Sequence, residues 1–105
     1  MKTNELSGAA LDWAVVKADG VENMGFVWER IKVNYKPSTN WAQGGEIIER
    51  EGINLRALSG ALWEAETWSA GGGQYLLDGA TPLVAAMRCY VASKLGDEVQ
   101  IPEGV

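Results

Sequence analysis

The sequence TPLVAAMRCYVASKLG, residues Thr81–Gly96, contains the start, the body and the end of one helix. Thr81 can accept a hydrogen bond from a free amide at a helix N-terminus, and Pro82 suits the first helical position because it has no N–H to leave unpaired. Lys94 opposes the negative end of the helix dipole, and Gly96 can adopt the positive φ that ends many helices. This segment therefore predicts a helix on which the other elements can pack.

Apolar side chains cover almost the whole circumference of this predicted helix, about residues 82–95. The charge of Arg88 is the only one on it before Lys94. A helix that is apolar nearly all round is normally buried, and this run is too short to cross a bilayer, which needs ~20 apolar residues. We therefore expect the helix to form the centre of the hydrophobic core.

The whole-chain composition is typical of one small domain, residues 1–105. The 105 residues are 47% hydrophobic and include five tryptophans, which suffices for one modest core. The net charge is −5 and the basic residues are scattered, which argues against a nucleic-acid partner. The single cysteine permits no internal disulfide, and the amino terminus lacks the apolar stretch of a signal peptide. We expect a protein of the cytoplasm that does not bind membranes.

The first 36 residues predict one helix and one strand. The helix, about residues 8–19, has one apolar stripe, but Trp13 and Val16 fall on its other side. These two side chains either cover the edge of a sheet or, together with Trp28, form a contact with a second copy or a partner. Residues 26–36 alternate with period two, which predicts a half-buried antiparallel strand.

The second half of the chain predicts a short helix, about residues 46–51, and three short strands at about 53–55, 62–68 and 74–77. The side chains expected on the core face of the middle strand are Trp63, Ala65 and Thr67. Together with the elements before them, these give an α+β fold in which a small antiparallel sheet packs against two main helices, 8–19 and 82–95. The acidic tail, residues 97–105, is expected to be peripheral.

The segment Pro37–Gly45, PSTNWAQGG, joins the predicted strand to the short helix. On one interpretation it is a rigid loop that binds a ligand or partner, and its candidate binding residues are then Ser38, Thr39, Asn40, Trp41 and Gln43. On the other, commoner interpretation it is a structural turn in which Trp41 fills the core and the polar side chains cap backbone groups. Its glycines lack the spacing of a phosphate-binding loop.

Arg88 is the remaining candidate binding residue. A guanidinium on an apolar helix can reach the surface, pair with a carboxylate or bind an anionic ligand. A structural pairing is favoured because anionic ligands usually contact more than one basic group.

The residue types argue against catalysis. The chain has no histidine, which removes the commonest general base and metal ligand. Cys89 lies on the predicted core helix and is expected to be a packed side chain and not a nucleophile. Glu64 and Glu66 share one face of a predicted strand, but such a face is usually only hydrated. We expect no enzymatic activity, no metal and no cofactor.

Three blocks carry a resemblance to known proteins: ELSGAALDWAVVKADG near the amino terminus, YKPSTNWAQGGEIIEREGI at 35–53 and DGATPLVAAMRCYVASKLGDEV at 78–99. They resemble, in the same order, the NinX-like family of small bacteriophage and prophage proteins of unknown function. The family pattern has Asp where this chain has Asn40, and often Pro where it has Glu46. The resemblance implies a phage-encoded protein of the bacterial host cytoplasm, and it implies no activity and no functional residues.

The sequence therefore favours a non-enzymatic phage accessory protein that binds another protein, either a foreign one or a second copy of itself. The alternative is a small-molecule-binding protein that uses the Pro37–Gly45 loop and Arg88. A pocket in which the amides of this loop converge with Arg88 would favour the small molecule, and an exposed apolar patch near Trp13 or Trp28 would favour the protein partner.

Overall fold

Four α-helices and a three-stranded antiparallel sheet make up the computed structural model, which describes all 105 residues. A short 3-10 turn at Thr3–Glu5 precedes the helices, which are α1 (Gly8–Ala18), α2 (Met24–Ile31), α3 (Trp41–Glu51) and α4 (Pro82–Leu95). The strands are β1 (Asn54–Ala57), β2 (Trp63–Trp68) and β3 (Gln74–Gly79). The α+β class predicted from the sequence is confirmed.

Helix α4 lies at the centre of the fold. The hydroxyl of Thr81 accepts a hydrogen bond of 3.1 Å from the amide of Val84, Pro82 is the first helical residue, and Gly96 ends the helix with a φ of 89°. The helix packs on all three strands and on α1 and α3. Its buried side chains are Leu83, Ala85, Ala86, Met87, Cys89, Tyr90, Val91 and Ala92. The predicted core helix is therefore confirmed.

The sheet has the order β1-β2-β3 and turns one face toward α4. Leu55, Ala65 and Leu77 stand opposite one another across the three strands. Ala65 and Thr67 are buried and Trp63 is half-buried, as expected for the core face of β2. On the other face Arg56 Nε donates to Glu64 at 3.1 Å and the Gln74 amide donates to Glu66, so both carboxylates have partners.

Residues 26–36 do not form the predicted strand, and this prediction was wrong. They belong to α2 and to the turn that follows it. The apparent alternation of apolar and polar residues combined residues of α2, which ends at Ile31, with residues of the turn that follows it. Val33, one of the apolar residues of this pattern, lies in that turn and is exposed. The side chains that α2 turns toward the protein recur at helical spacing: Met24, Val27, Trp28 and Ile31.

Helix α3 begins at Trp41 and not at about residue 46 as predicted. Asn40 is its N-cap, and the Asn40 side chain accepts a hydrogen bond of 3.1 Å from the amide of Gln43. Gly44 lies inside the helix, where a Cβ atom would come within 2.4 Å of the Pro37 carbonyl oxygen and 2.5 Å of Leu83 Cδ2. The predicted loop is thus a turn of residues 37–40 followed by the first turns of a helix.

The two ends of the chain are hydrogen-bonded to each other. The amino group of Met1 donates to the Val99 carbonyl and the Val99 amide donates to the Met1 carbonyl, both at 2.9 Å. The amide of Thr3 donates to the Asp97 carbonyl at 2.9 Å. Val99 is itself buried in the core. The first residues of the chain therefore depend on its last ones for their position.

The final residues, Pro102–Val105, lie beside Trp13, Met24 and Trp28. Segment 97–105, which its composition predicts to be peripheral, thus contributes Val99 to the core and lies against α1 and α2.

Candidate functional site

The turn of residues 37–40 is held in place by α1 and α3. The amide of Ser38 donates a hydrogen bond of 2.9 Å to Asp12 Oδ1 on α1. The side chain of Gln43 accepts from the Lys36 amide at 2.6 Å and donates to the Asn34 carbonyl at 2.7 Å. Gln43 therefore satisfies two backbone groups in the turn after α2, and these bonds occupy one donor and one acceptor position of its amide.

One groove, here named the Trp41 groove, lies between this turn and the start of α4. Trp41 is 57% exposed and forms one side of it. The residues that line the groove are Ser38, Thr39, Trp41, Thr81, Pro82, Leu83 and Val84. None of these carries a carboxylate, an amine or a thiol, so the groove suits an apolar side chain with a few hydroxyl contacts.

A second groove, here named the Asp12 groove, lies on the other side of the turn. Its lining residues are Gly8, Ala9, Asp12, Trp28, Lys32, Lys36 and Thr39. Asp12 is only 4% exposed, and desolvation by burial raises the pKa of its carboxyl group. The contacts with Ser38 and the charge of Lys36 lower this pKa in part. The groove therefore combines a desolvated carboxylate with two amino groups.

The hydroxyl of Ser38 is buried and has no hydrogen-bond partner. It nevertheless lies close enough to the Asp12 carboxylate to lower the pKa of that group. A buried hydroxyl without a partner is uncommon in folded proteins, and functional sites are among the places where one occurs.

Of the residues predicted to bind, the structure brings Ser38, Thr39 and Trp41 together around the Trp41 groove. Asn40 caps α3 instead. Arg88 lies elsewhere, where its guanidinium donates to the Leu6 carbonyl at 2.8 Å and the Asp78 carbonyl at 2.9 Å. The pocket that would have joined the loop amides to Arg88 is not formed.

The predicted contact face of Trp13, Val16 and Trp28 is occupied by the chain itself. These side chains are 6%, 2% and 5% exposed. The large apolar side chains that are exposed lie elsewhere: Met1, Phe26, Val33, Trp41, Leu62, Trp68 and Leu76. Trp13 and Trp28 themselves are therefore not exposed, whereas Phe26 of α2 is exposed and Val16 lines an apolar groove with Val21, Val27, Ile31 and Tyr35.

A polar network joins α1, α3 and α4 on another side of the molecule. The hydroxyl of Tyr90 donates to Asp19, and Arg50 lies 3.3 Å from the same carboxylate. Glu51 pairs with Arg50 and with Lys94. Burial, together with the Asp19 contact, raises the pKa of Tyr90. This network ties three helices together.

Asp12 was not among the residues that sequence reasoning selected. The available signal was a carboxylate inside the apolar segment LDWAVV of α1. Its partner Ser38 is distant in sequence, so the contact could not be read from local pattern.

Two further observations concern the whole molecule. No group of three or more His, Cys, Asp or Glu side chains is placed to hold a metal ion. None of the helices has both the length and the apolar composition of a membrane span.

The comparison with protein families is decisive for the identity of the chain. A family model described as Bacteriophage P22, NinX matches residues 2–94. The chain belongs to the NinX family. A search among curated proteins gave no match. The NinX match extends over both grooves and nearly all of α4, and it confirms the resemblance seen in the three sequence blocks.

Proposed function

We propose that this NinX-family protein is a non-enzymatic phage protein that acts in the host cytoplasm by binding a foreign protein through the Trp41 groove. The observation that carries the proposal is the exposure of Trp41 beside a groove, on the first residue of a well-packed helix.

The backbone that presents Trp41 is fixed on three sides. Asn40 caps the helix, Gly44 lies in close contact with Pro37 and Leu83, and Gln43 anchors the preceding turn. A tryptophan on such a frame loses little conformational entropy on binding, and exposed tryptophans of this kind often supply much of the affinity at protein interfaces.

The lining of the Trp41 groove supports binding without catalysis. Of its hydroxyls, that of Thr81 already caps α4, and that of Ser38 is enclosed beside the Asp12 carboxylate and does not open to the groove. A nucleophilic hydroxyl needs an adjacent base, and the chain has no histidine. The small-molecule alternative needs Arg88 beside the polar side chains of the loop, and Arg88 instead donates to the carbonyls of Leu6 and Asp78.

The side chains predicted to contact a second copy or a foreign partner, Trp13, Val16 and Trp28, are covered within the chain, so the proposal places the contact in the Trp41 groove. Self-association through the Trp41 groove would appear in the test below as crosslinking between copies.

The test places a photo-crosslinking amino acid at position 41 in the phage-infected host, with position 68 as the control. Trp68 is 58% exposed, as Trp41 is, but lies on the open face of the sheet. We expect one defined crosslinked species from position 41 that is absent from position 68. In parallel, Trp41→Ala should retain the melting temperature and lose the partner, whereas Trp68→Ala should retain both. Full-strength capture by a folded Trp41→Ala variant would show that the groove is not the binding surface.

A further inference from the structure

The Asp12 carboxylate has one oxygen with a protein partner and one without. Oδ1 accepts from the Ser38 amide, and the Ser38 hydroxyl lies beside the same carboxylate without forming a hydrogen bond of its own. Oδ2 accepts no hydrogen bond from the protein, and Asp12 lines the groove. A buried carboxylate is costly unless its oxygens are paired, and this one presents a free acceptor to a cavity.

Positive groups surround the same cavity. Lys32 pairs with Glu29 at 2.7 Å, but Lys36 takes part in none of the ion pairs of the chain. Gly8 and Ala9 line the groove at the start of α1, where the Ser7 side chain makes no capping hydrogen bond. Their amides are therefore free donors at the positive end of a helix of 11 residues.

This arrangement disfavours a ligand of a single charge. A simple anion would approach the Asp12 carboxylate, and a simple cation would approach Lys36 and the start of α1. A small molecule that carries an ammonium group and a carboxylate a few bonds apart can satisfy both sides. We infer that the Asp12 groove binds a zwitterionic small molecule of the α-amino-acid class.

In this assignment the ligand ammonium donates to Asp12 Oδ2, and the ligand carboxylate accepts from Lys36 and from the free amides of Gly8 and Ala9. Trp28 lines the remaining wall. The cavity, about 310 Å³, has room for a free amino acid. The inference goes beyond the proposed function, because it concerns a different groove, a different ligand class and different residues.

The first test uses the purified full-length chain and the twenty L-amino acids, each titrated singly while tryptophan fluorescence and calorimetry are recorded. We expect at least one to bind. Its N-acetyl derivative, which lacks the ammonium, and its amide, which lacks the carboxylate, should each bind at least ~10-fold more weakly, since each loses a charge-assisted contact. The amide also mimics the amino terminus of a peptide, so equal binding of the amide would assign the groove to a peptide terminus and overturn the inference.

The second test uses variants. Asp12→Asn keeps an acceptor for the Ser38 amide and should weaken binding at least ~10-fold, and Lys36→Gln should weaken it similarly. Lys17→Gln is the matched control, because Lys17 is exposed on α1 and does not line the groove. If no amino acid binds the wild-type chain at millimolar concentration, or if the N-acetyl derivative binds as well as its parent, the assignment is wrong. The comparison of derivatives on the wild-type chain stays decisive even if a variant fails to fold, and neither test depends on Trp41.

Discussion

Asp12 is a carboxylate that is almost completely buried, although carboxylates are normally hydrated or paired with a positive group. A carboxylate that is 4% exposed exchanges hydration for one amide hydrogen bond from Ser38 and the charge of Lys36. Because its pKa is raised in the folded protein, the native state binds more protons here than the unfolded state does. The group therefore lowers stability at neutral pH, and this penalty disappears as the pH falls below the unfolded value of 3.8.

We predict that Asp12→Asn unfolds at the same or a higher urea concentration than the wild type at pH 7. Asparagine keeps the acceptor for Ser38 and removes the desolvated charge. The difference between the two proteins should shrink as the pH falls from the raised pKa of the folded state toward the unfolded value of 3.8, below which the wild-type carboxyl group is protonated in both states. Asp97→Asn, at an exposed position, serves as the control variant. A marked loss of stability in Asp12→Asn at pH 7 would mean that the charge itself stabilises the fold.

Cys89 is a second residue whose pKa is changed by burial. It is fully buried on α4, and desolvation raises the pKa of its thiol to about 12. We predict that iodoacetamide labels the native protein slowly and that the rate keeps rising between about pH 7 and 10 without a plateau, because only the thiolate reacts and its fraction is still small at pH 10. Mass spectrometry of timed samples measures this, with urea-unfolded protein as the control whose labelling is faster and levels off above the ordinary thiol pKa of 9.0. A native rate that is as fast as the unfolded rate and levels off at the same pH would show that the thiol is accessible and titrates normally.

At the scale of elements, α3 and α4 are in close contact where Gly44 lies beside Leu83. We predict that Gly44→Ala costs about 1–3 kcal/mol, since the new methyl would overlap the Pro37 carbonyl and the Leu83 side chain. Its neighbour provides the matched control: a Cβ at Gly45 meets nothing within 4 Å, and Gly45→Ala should stabilise the helix by about 0.5–1 kcal/mol. Chemical denaturation of both variants measures the difference. Equal effects from the two substitutions would show that helix propensity alone governs this segment.

Elements with local signals were predictable from the sequence, and those that depend on distant partners were not. Helix α4 has its cap, its first proline and its terminal glycine within its own sequence, so its limits were correct. For α3, Asn40 and Gln43 have the spacing of a helix start, but the two glycines suggested a loop. The close contacts with Pro37 and Leu83, which local sequence does not show, explain why Gly44 is there. Helix α2 was not predicted because residues 26–31 of the helix were combined with residues 32–36 of the following turn into one alternating pattern.

The candidate site shows the same limit. The turn was identifiable from its polar residues and tryptophan, and Ser38, Thr39 and Trp41 do lie together. Asp12 and the lysines of its groove come from three separate elements, and no spacing in the sequence relates them. Arg88 was selected for its charge, yet its guanidinium donates to the backbone carbonyls of Leu6 and Asp78. Both residues are distant from Arg88 or on another element, so this role could not be predicted from the sequence.

For the whole molecule, the last five residues protect tryptophans that the sequence marked as unusual. We predict that deleting Ile101–Val105 exposes Trp13 and Trp28 and promotes self-association. Light scattering over a concentration series, together with a red shift of tryptophan emission, measures both effects against the full-length chain. A truncated protein that stays monomeric with unchanged emission would show that α1 and α2 cover these side chains without help.

The pairing of the chain ends has a consequence for synthesis. A ribosome synthesises Met1, Thr3 and Leu6 long before the groups that hold them, which are Val99, Gly96 and Arg88 respectively. Segments whose partners are distant in sequence order late. We expect ribosome-bound chains that expose only residues 1–80 to be digested by a protease from their amino terminus, and resistance to appear only once residue 99 has emerged. Nascent copies would thus remain substrates for chaperones and proteases until residue 99 has emerged.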